Sequence, residues 1–258
     1  MLSDRQQHCL KAIGIRRWRV RTAEDLAEPA EDSIAAAEFS AESALAALVP
    51  APASSVAAVK EVETPPQIST ATLKLDDWGL IDNAIQACTA CELARHCTQK
   101  VPGAGNRQAD LMIVGEGPGH DEDLQGMPFV GRSGQLLEKM LAAIGLTREQ
   151  VFITNIVKCR PPDNRDPRPE EAQQCRAYLN AQIKQVHPKV ILALGRVSAQ
   201  NLLDSKQPVG KLIPQTHSLP GGDIPLKVTY HPSYLLRTPS AKAIAWQDMK
   251  LLQRLLKS

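Results

Sequence analysis

At 258 residues the chain has room for one large domain or two ordinary ones, and six cysteines are too few for a disulfide scaffold at that length. The opening MLSDRQQHCL lacks a charged-then-apolar signal pattern, and no apolar run is long enough to span a bilayer. Secreted and membrane-spanning classes are therefore set aside, and a bacterial-type cytoplasm, where thiolates persist, is expected. The net charge of +2 conceals three regions: residues 1–22 carry six Lys/Arg against one Asp, residues 23–76 two Lys against ten acids, and residues 77–258 carry 22 Lys/Arg against 17 acids. The mild positive balance of the last region suits a polyanionic partner.

Residues 1–22 read as a basic N-terminal peptide. Its segment LKAIGIRRWRVR, residues 10–21, sets Ile13, Ile15 and Trp18 among arginines. This short stretch resembles the N-terminal peptide of the psi subunit of the bacterial replicative clamp loader, which implies a clamp-loader contact. The alternative is an arm that docks on its own domain or on DNA. Residues 23–76 are rich in Ala, Pro and Glu, with Phe39 as the one aromatic. Such a composition buries too little apolar surface to offset ordering entropy, so a flexible linker is expected and the whole arm is read as disordered.

Residues 77–258 carry the pattern of an α/β domain. Leu111–Val114, Val151–Val157, Val190–Leu194 and Leu226–Thr229 are apolar runs bounded by Gly or polar residues, as buried parallel strands are. Helical periodicity falls between and after them: Gln135–Ile144, Pro169–Val186, Arg196–Leu203 and Ala241–Leu256. Pro169 suits a first helical turn, and Gly145 a helix stop. The expected fold is a three-layer αβα sandwich around a central, mainly parallel four-stranded sheet.

Ligands of such sheets bind beyond the carboxyl ends of the strands, and the unusual residues gather there. GEGPGHDED follows the first strand, Asn155 lies late in the second, and His231 follows the fourth. Gly115, Gly117 and Gly119 permit close backbone approach to a ligand. No GK[ST] follows, so a Walker phosphate loop fails. Glu116, Glu122 and Asp123 would repel a phosphate and suit water activation or a developing cation. Cys88 and Cys91 form a CxxC pair, with Cys159 and Cys175 far downstream. Four thiolates suit zinc or a [4Fe–4S] cluster, although the fifteen residues between Cys159 and Cys175 fit a zinc knuckle poorly. Cys9 and Cys97 are read as ordinary thiols.

Four ordered motifs carry a resemblance: GEGPGHDED, GMPFVGRSG, TNIVKCRPPDNRDP and HPSYLLR. Together with the cysteine spacing they resemble the family 4 uracil-DNA glycosylases, iron–sulfur enzymes of DNA repair, over roughly Cys88 to Leu256. The resemblance implies a monomeric enzyme that flips uracil out of single- or double-stranded DNA and hydrolyses its N-glycosidic bond. It implies a [4Fe–4S] cluster on Cys88, Cys91, Cys159 and Cys175.

Within that resemblance, His231 is the expected donor to a uracil carbonyl oxygen as it becomes anionic. Glu122 is expected to orient the attacking water and stabilise the cationic sugar, with Glu116 as runner-up. The amide of Asn155 matches the N3–H donor and O4 acceptor of uracil and mismatches cytosine. Gly117 lines the base site, Phe129 stacks on the flipped base, and Asn164 matches a family active-site position. Leu235 and Leu236, read as loop residues, are expected to wedge into the base stack, and Arg237 to hold phosphate. Two rivals stay beside this reading. One is a uracil-DNA binder without turnover, whose relatives carry a His in a basic insertion that RPPDNRDPRPEEAQQ lacks. The other is a cluster-bearing hydrolase of a small nucleotide.

Overall fold

The four apolar runs form the parallel centre of a sheet, and two short antiparallel strands that the sequence pattern hides extend it at both edges. The structure, a computed structural model, describes residues 75–257. The expectations for residues 1–22 and nearly all of 23–76 therefore lie outside the described residues. The strands are β1 (Ala104–Gly105), β2 (Leu111–Gly115), β3 (Phe152–Asn155), β4 (Val190–Leu194), β5 (Thr216–Ser218) and β6 (Pro225–Thr229), in the order β1-β3-β2-β4-β6-β5. β2 runs parallel to β3 and β4, and β4 to β6, while β1 and β5 pair antiparallel at the edges. Two residues of Ala-Gly and three of Thr-His-Ser are too short and too polar to show an alternation.

β2 and β4 are buried on both faces, and side-chain alternation divides them between two cores. Met112, Val114, Ile191 and Ala193 join Ile81 and Ile85 of α1 (Trp78–Gln86) on one face. Leu111, Ile113, Leu192 and Leu194 point the other way.

The connections follow in chain order: α2 (Leu93–His96), α3 (His120–Gln125), α4 (Arg132–Ala143), α5 (Pro169–Val186), α6 (Gly195–Leu202), α7 (Val209–Leu212), α8 (Pro232–Arg237) and α9 (Lys242–Leu255). Tyr178 and Leu179 of α5 complete the first core, and Leu137 of α4 and Met249 of α9 the second. α5 has its expected bounds, with Pro169 at the start. Its first turn is tied back to the preceding loop: the Glu171 carboxylate accepts two bonds from the Arg165 guanidinium and one from Arg168 N. α4 begins earlier than its apolar stripe, because Gly131 rather than a polar cap opens it. The second expected strand is shorter than read. Beyond Asn155 the backbone bonds to the loop after β2, Ile156 N to Gly115 O and Val157 N to Glu116 O. Among the described residues no helix is long and apolar enough to cross a membrane.

Candidate active site

The carboxyl ends of β2, β3 and β6 open into one cleft of about 480 Å³. Glu116, Asn155, Phe129 and His231 meet there, together with Gly117, Glu122, Asn164 and Arg237. The cleft thus brings together the sequence-expected residues from four separate motifs.

Asn155 ends β3 at the floor and is 1% exposed. Its Oδ1 is, among the described residues, a buried side-chain oxygen with no hydrogen-bond partner. Burying an acceptor unpaired costs roughly 1–3 kcal/mol, so such an atom marks a place where a donor is to arrive. Gly115 makes room for it: a Cβ there would lie 2.3 Å from Asn155 Oδ1 and 2.7 Å from the Phe129 ring. Phe129 is 6% exposed and holds a left-handed backbone (φ 54°). A bulky residue adopts that conformation only under constraint, and Arg148 supplies it by donating to the carbonyls of Phe129 and Pro128.

His231 caps the start of α8, its ring centroid 5.7 Å from that of Phe129. Gly195 (φ 83°) passes so near that its Cβ would stand 2.9 Å from the His231 Cβ. Ser233 Oγ lies 2.8 Å from His231 Nδ1, and Ser233 N donates to the same atom at 3.2 Å. Burial, with the Arg237 charge adding to it, lowers the imidazole pKa to about 4. The ring is neutral at pH 7.

The two glutamates differ. Glu122 spends both oxygens on main-chain donors: Gly119 N (3.1 Å) on one, Val130 N (2.9 Å) and Gly131 N (3.1 Å) on the other. It laces the loop after β2 to the turn that carries Phe129. Glu116 is pushed up to about 8, by burial first and then by the adjoining Asp166 carboxylate, with Arg196 opposing. Asp166 in turn pairs with Arg196. Asn164 sits at the rim in a left-handed conformation, its Oδ1 accepting from Arg160 Nε at 2.8 Å.

HPSYLLR is a helix rather than the loop expected, which corrects the reading of its leucines. Leu235 is 1% exposed and packs in the second core, so it does not present a wedge; Leu236 and Arg237 face outward. Ser233, Asp166 and Arg196 went unrecognised in the sequence. Two of them lie inside the quoted HPS and NRDP strings, where position was the only signal.

Cys88, Cys91, Cys159 and Cys175 are free thiols that pack in or against the first core. Cys175 is pushed up to about 12 and Cys91 is also raised, both by burial first; Cys88 and Cys91 add to the rise of Cys175, and Cys88 to that of Cys91. Cys159 is raised as well, chiefly by its contact with Cys97, with Cys175 and Cys91 adding. Cys97 therefore stands beside this set. Among the described residues no three His, Cys, Asp or Glu side chains are grouped so as to hold a metal ion.

At the strand ends of this mixed sheet a buried amide oxygen without a partner, a neutral imidazole and an aromatic ring line one cleft. The family profile described as the Uracil DNA glycosylase superfamily matches residues 102–250. The type-4 uracil-DNA glycosylase of Archaeoglobus fulgidus is 43% identical over 187 residues, spanning 70% of this chain and 92% of that protein. Those of Saccharolobus solfataricus (39% over 191 residues, 71% and 88%) and Thermotoga maritima (41% over 181 residues, 69% and 94%) are similar to the same extent. The chain belongs to the type-4 uracil-DNA glycosylases of that superfamily.

Proposed function

We propose that this chain removes uracil from DNA by hydrolysing the N-glycosidic bond, with residues 77–258 as the glycosylase domain. The observation that carries the site assignment is the unpartnered, buried Asn155 Oδ1 at the floor of the cleft. Uracil N3–H supplies the missing donor, and Asn155 Nδ2 donates to O4 in return. Cytosine brings an acceptor at N3 and an amine at C4, so both contacts reverse sign. Phe129 is the platform for the flipped ring.

As the C1′–N1 bond breaks, its electron pair goes to the uracil ring and the sugar becomes cationic. His231 donates from Nε2 to the ring carbonyl where that charge collects, and a neutral imidazole serves for this. The water role passes from Glu122, whose oxygens accept from main-chain N–H groups, to the runner-up Glu116: in its ionised form it orients water toward C1′, the water oxygen forms the new bond and its proton passes to the carboxylate. Glu122 holds the loop that positions both. Gly117, Asn164, Leu236 and Arg237 line the path by which the DNA strand reaches the cleft, Arg237 and Arg160 toward phosphate.

Cys88, Cys91, Cys159 and Cys175 would hold a [4Fe–4S] cluster. The donor type fits: four free thiols are the ligands such a cluster takes, and burial first of all raises Cys91 and Cys175 among them. Bound there, it ties residues 88–91 to the end of β3 and to α5. Residues 10–21 are assigned to a partner, the replication clamp loader, through the linker 23–76. The protein acts as a monomer in a bacterial-type cytoplasm that keeps its thiols reduced.

Single-turnover assay of uracil-, cytosine- and thymine-containing oligonucleotides, single- and double-stranded, tests this. Abasic sites from the uracil strand alone are expected. Tight binding without abasic product would favour the non-turnover binder, and cleavage of free nucleosides in preference to oligonucleotides the small-nucleotide hydrolase.

A further inference from the structure

Among the described residues six large apolar side chains are more than a third exposed, and three of them belong to the two segments that flank the base cleft: Leu124 (51%), Met127 (43%) and Leu236 (36%). None of the three joins either core. Tyr234, also on α8, is instead stacked on Tyr230 at 4.9 Å. Scattered exposed apolar residues are ordinary, whereas a set gathered round one opening marks an interaction site.

His120 and Asp121 open α3 and line the cleft. Leu124 follows them by four and three residues, so it stands on the same helix face one turn further on. The acids beside it are taken up. Asp123 is buried and accepts from Thr98 N (2.9 Å) and Gln99 N (3.3 Å), and Glu122 is held by its three main-chain donors. α3 ends at Gly126 in a left-handed backbone (φ 67°). The residue beyond such a glycine commonly packs on an apolar side chain about a turn back. Here Asp121 and Glu122 hold those places, so helix closure gives Met127 no apolar partner. On the other side of the cleft Ser233 and Arg237 of α8 line it, with Leu236 three residues after Ser233. The two helices follow β2 and β6, whose ends stand about 10 Å apart because β4 lies between them. Stacked nucleotides advance about 3.4 Å per step, so the gap admits one nucleotide with its neighbours.

We propose that Leu124 and Met127 form a second apolar contact to the substrate DNA strand, covering the base next to the flipped uracil on the α3 side while Leu236 meets the neighbour on the α8 side. This rests on the uracil-excision reading above. The surface is continuous with the cleft, from His120 and Asp121 to Leu124, and from Phe129 back two residues to Met127. Extruding a base exposes an apolar face on each neighbour, and a side chain laid on that face offsets the cost of unstacking. A duplex has to be unpaired and unstacked before its base leaves, whereas a single strand needs less of this, so the contact matters most on duplex.

The test compares the double variant Leu124→Ala with Met127→Ala, the single variant Leu236→Ala and wild type, all as full-length protein. Thermal unfolding should stay at the wild-type midpoint, since the truncated side chains are exposed. Single-turnover excision from duplex should fall about tenfold in the double variant, and excision from the same strand unpaired should fall less. In a second measurement 2-aminopurine is placed on one side or the other of a non-cleavable uracil analogue, and its fluorescence on binding reports unstacking. The double variant should lose the signal on one side of the uracil, and Leu236→Ala on the opposite side. Wild-type excision from duplex by the double variant overturns the proposal. So does an equal loss from duplex and single strand, or loss of the fluorescence signal on the same side as Leu236→Ala. Wild-type protein that excises uracil from neither substrate refutes the excision reading itself, whereas the other failures leave it standing.

Discussion

Ser233 meets one nitrogen of His231 twice, with its hydroxyl at 2.8 Å and its main-chain N–H at 3.2 Å. A main-chain N–H can only donate, so Nδ1 is an acceptor and the proton of the neutral ring is on Nε2. His231→Ala should slow single-turnover excision about a hundredfold or more, as loss of one charge-stabilising donor does. Binding of a uracil-containing strand should change far less. Ser233→Ala removes only the hydroxyl and keeps the main-chain N–H on Nδ1, so NMR of the imidazole nitrogens should still show the Nε2–H tautomer. Wild-type excision by His231→Ala would refute the assignment.

The same ring predicts a pH effect on stability. Its folded-state pKa lies near 4, below the unfolded value near 6.5. Between those values the unfolded chain binds the extra proton, so stability is full above about pH 6.5 and is lost as pH falls toward 4. Thermal unfolding across that range should show a smaller loss for His231→Asn than for wild type.

Glu116 predicts a dependence of the same sign for catalysis, in a higher pH range. It is pushed up to about 8, by burial and then by Asp166. Below that pH it carries a proton and cannot orient water as an anion. Excision should climb as pH rises through about 8, and Asp166→Asn should move the climb to lower pH by removing the neighbouring carboxylate. Glu116→Gln should nearly abolish turnover. A pH–rate profile unchanged in Asp166→Asn would show that Glu116 is not the titrating group.

Much of this was legible because buried parallel strands announce themselves: Leu111–Gly115 and Val190–Leu194 have no polar face to blur them. The site was legible as a set of strand ends. What stayed hidden depended on partners distant in sequence. Glu122 and Glu116 look alike as loop acids, and only three backbone N–H groups on one and a carboxylate from residue 166 beside the other separate them. Leu235 is buried because HPSYLLR turns helical after Pro232, which a short motif with no polar alternation does not reveal.

Glu122→Gln tests the lacing role. A carboxylate accepts on both oxygens, whereas glutamine presents an NH2 to N–H donors on one side. Bonds to a charged acceptor are worth roughly 1.5–3 kcal/mol each, so a loss of about 2 kcal/mol in unfolding free energy is expected. Excision should slow with it. Unchanged stability with a large loss of rate would instead mark Glu122 as a residue that touches the reacting atoms.

The cysteine centre gives the last prediction. Protein purified without oxygen should be brown and carry about four irons per chain. Cys175→Ser should lose iron and destabilise the fold, because Cys175 is buried in α5 and shares the core with Tyr178 and Leu179. Cys97 stands close to Cys159 and raises its pKa more than burial does, which makes it the one thiol whose exclusion from the ligand set needs experiment. Cys97→Ser should keep the iron and the visible spectrum, since the CxxC pair with Cys159 and Cys175 already fills the four positions of a [4Fe–4S] centre. Iron lost in Cys97→Ser and kept in Cys88→Ser would move the ligand assignment, and stoichiometric zinc without iron would end it.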